Sequence, residues 1–369
     1  MAYNAKYSFL INKRVLLIRI GGELGIKSRQ TRRYMIDQLQ HNIKARFRHI
    51  FTFNILNYRN RLIIYSESSI DLDKLAFSIV TSISGVSSVS PVLVVEATEN
   101  SILSAGKSEA INIIQPYTSF AIRARREGSH PFSSIEIASK LGAEILAYPL
   151  EGIKVDLEAP KFQIHLDISG ILCFIYSHIY KGMDGLPSRS QGTAIALLKP
   201  NFNSILAAWL MKKRGVKITP IFFKTGKTSE ENFLEHIQLL FSQDITIVRI
   251  EELLALFKHH SSLCLYCQIY CEQVCKKVAN KYQVSTIVSP TCFNYNNEIM
   301  SLEALKILEK NINLAILRPL QLGYYGQEIK MKELDKKACC QFKTTVSLQP
   351  FEDFNDTNLK EILSFKLKI

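Results

Sequence analysis

The residues best suited to chemistry in this 369-residue chain are its cysteines. Four of the eight fall between Cys264 and Cys275, starting with the pair Cys264-Leu-Tyr-Cys267, and two more are adjacent at Cys339-Cys340. Thiolates at such spacing suit an iron–sulfur cluster, with zinc as the alternative. The expected ligands are Cys264 and Cys267 with Cys339 or Cys340, between which the spacing does not choose. Core packing stays open as a second reading, because Cys267, Cys271 and Cys275 recur every four residues, as one buried helix face would.

A second chemical element is the segment Lys199, Pro200, Asn201, Phe202, Asn203 and Ser204, set between an apolar run and an Ala- and Leu-rich helical stretch. A loop that enters a helix amino terminus can cradle phosphate with free N–H groups. An ordinary strand-to-helix turn is the plain alternative. The third element is basic: Lys27, Arg29, Arg32 and Arg33 near one apolar-periodic segment, and Arg123, Arg125 and Arg126 in another. Such side chains suit phosphate contacts that position a nucleic acid without reading it.

Composition supports the third element. Residues 1–60 hold 12 Lys/Arg against 2 Asp/Glu, residues 61–180 hold 9 against 13, and residues 181–369 hold 25 against 18. The formal net charge of +13 is therefore concentrated at the amino-terminal end, which favours a polyanionic partner, nucleic acid ahead of a membrane surface. No uncharged apolar run reaches 18 residues, so a membrane span is excluded on sequence grounds. Clustered cysteines without a signal-like leader point to a reducing, cytoplasmic setting.

The elements that must position these residues follow from periodicity. Strand 14–20, helix 28–48 with Tyr34, Ile36, Leu39, Ile43 and Phe47 inward, strands 50–56 and 61–65 and helix 72–83 predict a ferredoxin-like α+β module. A two-layer α+β region follows, with strands at 91–95, 119–125, 154–157, 162–168 and 171–176. Its helices are 101–114 and 133–146, the latter opened by Ser133-Ser-Ile-Glu136 as a capping signal. The Gly-rich stretch 181–192 reads as a linker. Beyond it, strands and helices alternate to 317, which predicts a doubly wound, mostly parallel sheet with ligands beyond its strands' carboxyl ends.

At this point the chain resembles the tRNA 4-thiouridine synthetases, or tRNA sulfurtransferases. The resemblance is carried by Arg19-Ile-Gly-Gly-Glu23 with Lys27, Arg32 and Asn42, by Phe120-Ala-Ile-Arg-Ala-Arg-Arg126 with Phe132-Ser-Ser-Ile-Glu136, and by Gly185-Leu-Pro187 with Gln191-Gly192. It continues through Ala207-Ala-Trp-Leu-Met-Lys-Lys-Arg-Gly215 and Leu317-Arg-Pro-Leu320. The resemblance implies three domains: ferredoxin-like over 1–75, THUMP over 76–180, and a Rossmann-type PP-loop domain, akin to the adenine nucleotide alpha hydrolases, over 181–369. It implies binding of the tRNA acceptor end, adenylation of uridine by Mg-ATP, and sulfur from a donor protein or sulfide to give 4-thiouridine at position 8.

The likeness is to archaeal members, which hold an iron–sulfur cluster by three thiolates and carry no rhodanese-like domain. The family's nucleotide loop is Ser-Gly-Gly-x-Asp-Ser, and the six positions here are Lys199 to Ser204, of which only the last agrees. Pro200 has no N–H to offer phosphate, Asn201 adds a side chain where glycine allows close approach, and Asn203 replaces a carboxylate. The alternative function is a non-catalytic tRNA-binding subunit or scaffold, acting as a homodimer or with a catalytic partner subunit.

Overall fold

The computed structural model describes residues 7–226, 230–241, 245–256, 263–291, 302–310 and 312–320. The chain divides into two compact units. The first comprises Met1–Gly22, Ile43–Val80 and Val86–Gly182, and the second Glu23–Asn42, Thr81–Gly85 and Met183–Ile369.

The first unit is built on one sheet. Its strands are β1 (Arg14–Ile20), β2 (Asn54–Tyr58), β3 (Arg61–Tyr65), β4 (Val86–Glu96), β5 (Ser119–Glu127), β6 (Lys154–Val155), β7 (Phe162–Ser169), β8 (Leu172–Tyr176) and β9 (Tyr180–Lys181). They run in the order β2-β3-β1-β4-β8-β7-β5-β6, with β9 also on β4. The first four strands pair antiparallel with β1 between β3 and β4, the ferredoxin-like order. The eleven-residue β4 exceeds its expected length because both edges are used: β1 lies along 86–93 on one, β9 and then β8 on the other. Strand β5 pairs β7 in parallel from Phe120 to Glu127, but β6 covers its outer edge only at Ser119 and Phe120.

Five helices lie along this part of the chain, α1 (Gly22–Gly25), α2 (Arg29–Phe47), α3 (Leu72–Ser82), α4 (Glu99–Ile111) and α5 (Ser134–Leu146), with residues 23–42 belonging to the second unit. Helix α5 opens with the capping box expected of Ser133 and Glu136, each side chain bonding the other's backbone N–H. Helix α2 buries Met35, Ile36, Leu39, Ile43 and Phe47 and leaves Tyr34 exposed, which corrects the expected inward set by one position. The strand expected at 50–56 starts later, because the amides of Ile50 and Phe51 still bond the Phe47 carbonyl as the helix ends.

The second unit carries a five-stranded parallel sheet of order β12-β11-β10-β13-β14, from β10 (Thr193–Leu198), β11 (Lys217–Lys224), β12 (Thr246–Arg249), β13 (Thr286–Val288) and β14 (Ala315–Leu317). Its helices are α6 (Phe202–Lys213), α7 (Glu230–Leu240), α8 (Glu251–Leu256), α9 (Leu263–Lys281) and α10 (Leu302–Glu309). The two-residue period of β10 feeds two cores: Ile195 and Leu197 pack with α9, while Ala194, Ala196 and Leu198 pack with α6 and α7. Burial on both sides explains the continuous apolar run.

Residues 181–192 are not a loose linker. Within the second unit Asp184 accepts from the Gly85 amide, Leu186 N–H donates to Lys213, and Gln191 N–H donates to Gly215. Gly185 sits at φ +76, and a Cβ there would lie 2.0 Å from the Lys213 carbonyl oxygen.

Candidate functional site

Two places gather chemistry-bearing residues, one in each unit. In the first, a groove of about 980 Å³ runs beside β5, helix α5 and the segment around Leu157. Register places Arg123, His165 and Tyr176 in one row across β5, β7 and β8. The His165 and Tyr176 rings stack with centroids 4.9 Å apart and planes 6° apart, and the Arg19 guanidinium lies 4.7 Å over the Tyr176 ring. Arg19 also donates to the hydroxyls of Ser88 and Ser90, while its buried Nη2 has no partner among the described residues.

Arg123 donates to the Leu157 carbonyl at 2.5 Å, and Arg125 is exposed. The groove lining thus holds Arg19, Arg123 and Arg125 with no Asp or Glu. His165 is pushed down to about 4, first by burial and then by those three arginines, so at neutral pH it presents an uncharged ring. Apolar Ile135 and Leu157 stand 79% and 63% exposed on the rim. A cationic trough with an aromatic floor and apolar rim is suited to unpaired nucleotides, whose phosphates need cations and whose bases need faces to stack on.

The other predicted basic residues are placed differently. Arg126 turns to the Gly128 carbonyl. Arg29 and Arg33 are exposed on α2, and Lys27 is half-buried. Arg32 is partly structural, its Nη2 donating to the Gly25 carbonyl at 2.5 Å and to that of Lys27 at 3.5 Å.

The second place is beyond the carboxyl ends of β10 and β13, where the chain order reverses direction across the sheet and where doubly wound folds bind ligands. Lys199, the first residue after β10, is buried, and its ammonium donates to Gln268 Oε1 at 3.0 Å and to Cys267 Sγ at 3.4 Å. Gln268 Nε2 donates to Glu272 Oε1 and Ser289 Oγ, and Ser289 also donates to Glu272. Ser289 bonds Thr291, and Thr291 accepts from Arg318 Nε at 3.0 Å. Arg318 continues to Glu309 at 2.6 Å and approaches Glu272 at 4.0 Å. Burial raises the Glu272 carboxyl above its ordinary value, against the lowering pull of Gln268, Arg318, Ser289 and Lys199.

Between Lys199 and α6 the loop is closed on itself. Asn201 caps the helix, its Oδ1 accepting the Ser204 N–H at 2.9 Å, and its own N–H bonds the Lys199 carbonyl at 2.7 Å. The Ser204 hydroxyl is aimed at the carbonyls of Lys199 and Asn201. Phe202 is half-buried against the α6 core and Asn203 is exposed. With Pro200 lacking an N–H and the Ser204 N–H taken, these residues do not fit a triphosphate cradle.

Of the expected metal ligands, the structure places Cys267, whose thiol is buried on the α9 face that also carries Cys271 and Cys275. Burial raises both Cys271 and Cys275, which are neutral thiols packed as small hydrophobes. The Cys264 side chain, Cys339 and Cys340 lie outside the described residues. Among the described residues no group of three His, Cys, Asp or Glu could hold a metal ion, and no helix is long and apolar enough to cross a membrane.

Sequence reasoning did not single out the roles of His165, Tyr176, Gln268, Glu272 or Arg318. A lone histidine or tyrosine in an alternating strand carries no local signal. Gln268 and Glu272, however, stand at helical spacing next to the cysteines, a polar pair within the mostly apolar first half of the helix.

Comparison with known proteins follows the same order along the chain. Residues 15–90 match the ThiI ferredoxin-like domain, 96–178 the THUMP domain, and 189–332 the family described as thiamine biosynthesis protein (ThiI). The chain is 28% identical over 329 residues to a probable tRNA sulfurtransferase of Sulfurisphaera tokodaii, covering 85% of this chain and 84% of that one. It is 26% identical over 326 residues to a protein of the same description from Methanocaldococcus jannaschii, covering 84% of each. Among solved structures, a 4-thiouridine synthetase in complex with RNA and bound ATP superposes with a TM-score of 0.63 at 21% identity, over 84% of this chain and 81% of that one. A protein of Pyrococcus horikoshii gives 0.63 at 24% identity, over 85% and 96%. Ferredoxin-like, THUMP and ThiI domains in succession, on the sheets described above, show that the chain belongs to the tRNA sulfurtransferase family.

Proposed function

We propose that this protein binds tRNA and acts in the synthesis of 4-thiouridine, the replacement of a uridine carbonyl oxygen by sulfur. The observation that carries the reading is the carboxylate-free groove of Arg19, Arg123, Arg125 and the His165–Tyr176 stack, all but Arg19 lying within the THUMP match. The arginines neutralise phosphates and the rings receive bases. Exposed Arg29 and Arg33 add charge on α2. The division into parts 1–75, 76–180 and 181–369 belongs to this reading, as does a cytoplasmic setting.

Sulfur delivery falls to the cysteines. Cys267 offers a sulfur donor of the kind soft metals take, and its partners in the proposal are Cys264 and Cys339 or Cys340. Cys264, Cys267 and one of Cys339 and Cys340 would hold an iron–sulfur cluster, which would supply iron to bind sulfide; zinc is the other metal the same donors would accept.

The function is tested by deleting the gene in the organism that carries it and measuring the near-ultraviolet absorbance of 4-thiouridine in bulk tRNA. The expected result is loss of the nucleoside, restored by the wild-type gene but not by one with Arg19, Arg123 and Arg125 all changed to Glu. Undiminished 4-thiouridine in the deletion strain refutes the reading. Anaerobic purification followed by metal analysis decides the cysteine chemistry: iron with acid-labile sulfide supports the cluster, and a colourless protein with stoichiometric zinc overturns it.

A further inference from the structure

The crevice between the carboxyl ends of β10 and β13 is where a doubly wound sheet receives its ligand, yet here the chain fills it with its own side chains. Lys199 is 4% exposed, and Gln268, Glu272, Ser289 and Thr291 around it are likewise buried. The network connects all three elements that border the crevice: the end of β10 through Lys199, the end of β13 through Ser289 and Thr291, and α9 through Gln268 and Glu272. Arg318, just past β14, ties in the neighbouring strand.

Among the described residues, Arg318 stands opposite the carboxyls of Glu272 and Glu309, and Lys199 is turned to the Gln268 that bonds Glu272, while Glu272 Oε2 and Arg318 Nη2 are buried without a hydrogen-bond partner. At the loop, two backbone donors are spent on the chain itself, Ser204 N–H on Asn201 Oδ1 and Asn201 N–H on the Lys199 carbonyl, and Pro200 has none. Drawing Lys199 out to meet a ligand leaves Gln268 and a buried carboxyl without that cation, a change that costs more than an exposed ion pair returns.

We infer that Lys199 and its network are an internal plug, so that this domain is folded and complete without nucleotide and does not bind Mg-ATP at its sheet end. Resting on the function proposed above, the nucleotide that activates uridine is then bound by a separate polypeptide with an open phosphate loop, and this chain contributes the RNA-binding body.

The test uses the full-length protein as purified. Titration with Mg-ATP, followed by thermal unfolding and by the fluorescence of a ribose-labelled ATP analogue, should give no saturable change up to millimolar nucleotide. Saturable binding that unlabelled ATP competes away overturns the plug. In a parallel reaction with unmodified tRNA, Mg-ATP and sulfide, the protein alone should release no AMP. AMP release with thiouridine formed overturns the plug and upholds the family function, whereas loss of tRNA binding refutes the RNA reading and leaves the plug standing. Lys199→Met, which keeps the stem and removes the charge, should lower the unfolding midpoint with no recovery on adding Mg-ATP. An unchanged midpoint shows that the ammonium does not close the site, and if the variant fails to fold, the wild-type titration still decides.

Discussion

His165 and Glu272 show how one residue's surroundings set its chemistry. The His165 imidazole is held down to about 4, mainly by burial, from an ordinary 6.5. The unfolded chain therefore binds a proton that the folded chain refuses, so stability is lost as pH falls from about 6.5 to about 4. Denaturant unfolding across this window should show the decline in the wild type and a shallower one in His165→Gln. Glu272 has the opposite sign. Its folded carboxyl is raised by burial, so the contribution is full below the ordinary value of 4.5 and is lost as pH rises through the elevated one. Glu272→Gln should flatten that limb while leaving the His165 limb in place, and identical profiles for variant and wild type would count against the network. Neither shift is visible in the sequence, because burial, the leading cause of both, is set by packing between segments far apart along the chain.

At the scale of elements, local rules did most of the work where the signal was local. The capping box at Ser133 and Glu136 stands where the motif indicated, and Ser133→Ala should cost about 1 kcal/mol in urea unfolding. Boundaries moved where tertiary pairing extended a strand, as in β4, or where a helix end took up residues expected to be extended, as at Ile50 and Phe51. The stretch 181–192 departs from a linker for a related reason. Gly and Pro advertise a break in regular structure, but they also permit close backbone approach, and Gly185 uses both its positive φ and its missing side chain beside Lys213. Gly185→Ala should therefore destabilise by about 3 kcal/mol, far more than alanine at an exposed turn. A loss below 1 kcal/mol would show that the Lys213 turn gives way easily.

For the whole molecule, the measurable quantity is the salt dependence of tRNA affinity. Log affinity should fall linearly with log salt, and Arg125→Ala should lower affinity and reduce the slope by about 1. Affinity that does not respond to salt would remove the basic trough from the binding surface. The sequence by itself determined the order of ferredoxin-like, THUMP and ThiI segments, the parallel sheet and the amino-terminal charge, since periodicity, composition and motif order are local properties of the chain. Tertiary structure alone decided that Arg123 shares a groove with Arg19, His165 and Tyr176 while Arg32 is spent on its own turn. It also decided that Lys199 points inward to Gln268 rather than outward to a ligand. The physical reason is the same in each case: a charged side chain's role depends on which partners desolvate and neutralise it, and those partners come from strands and helices distant in sequence.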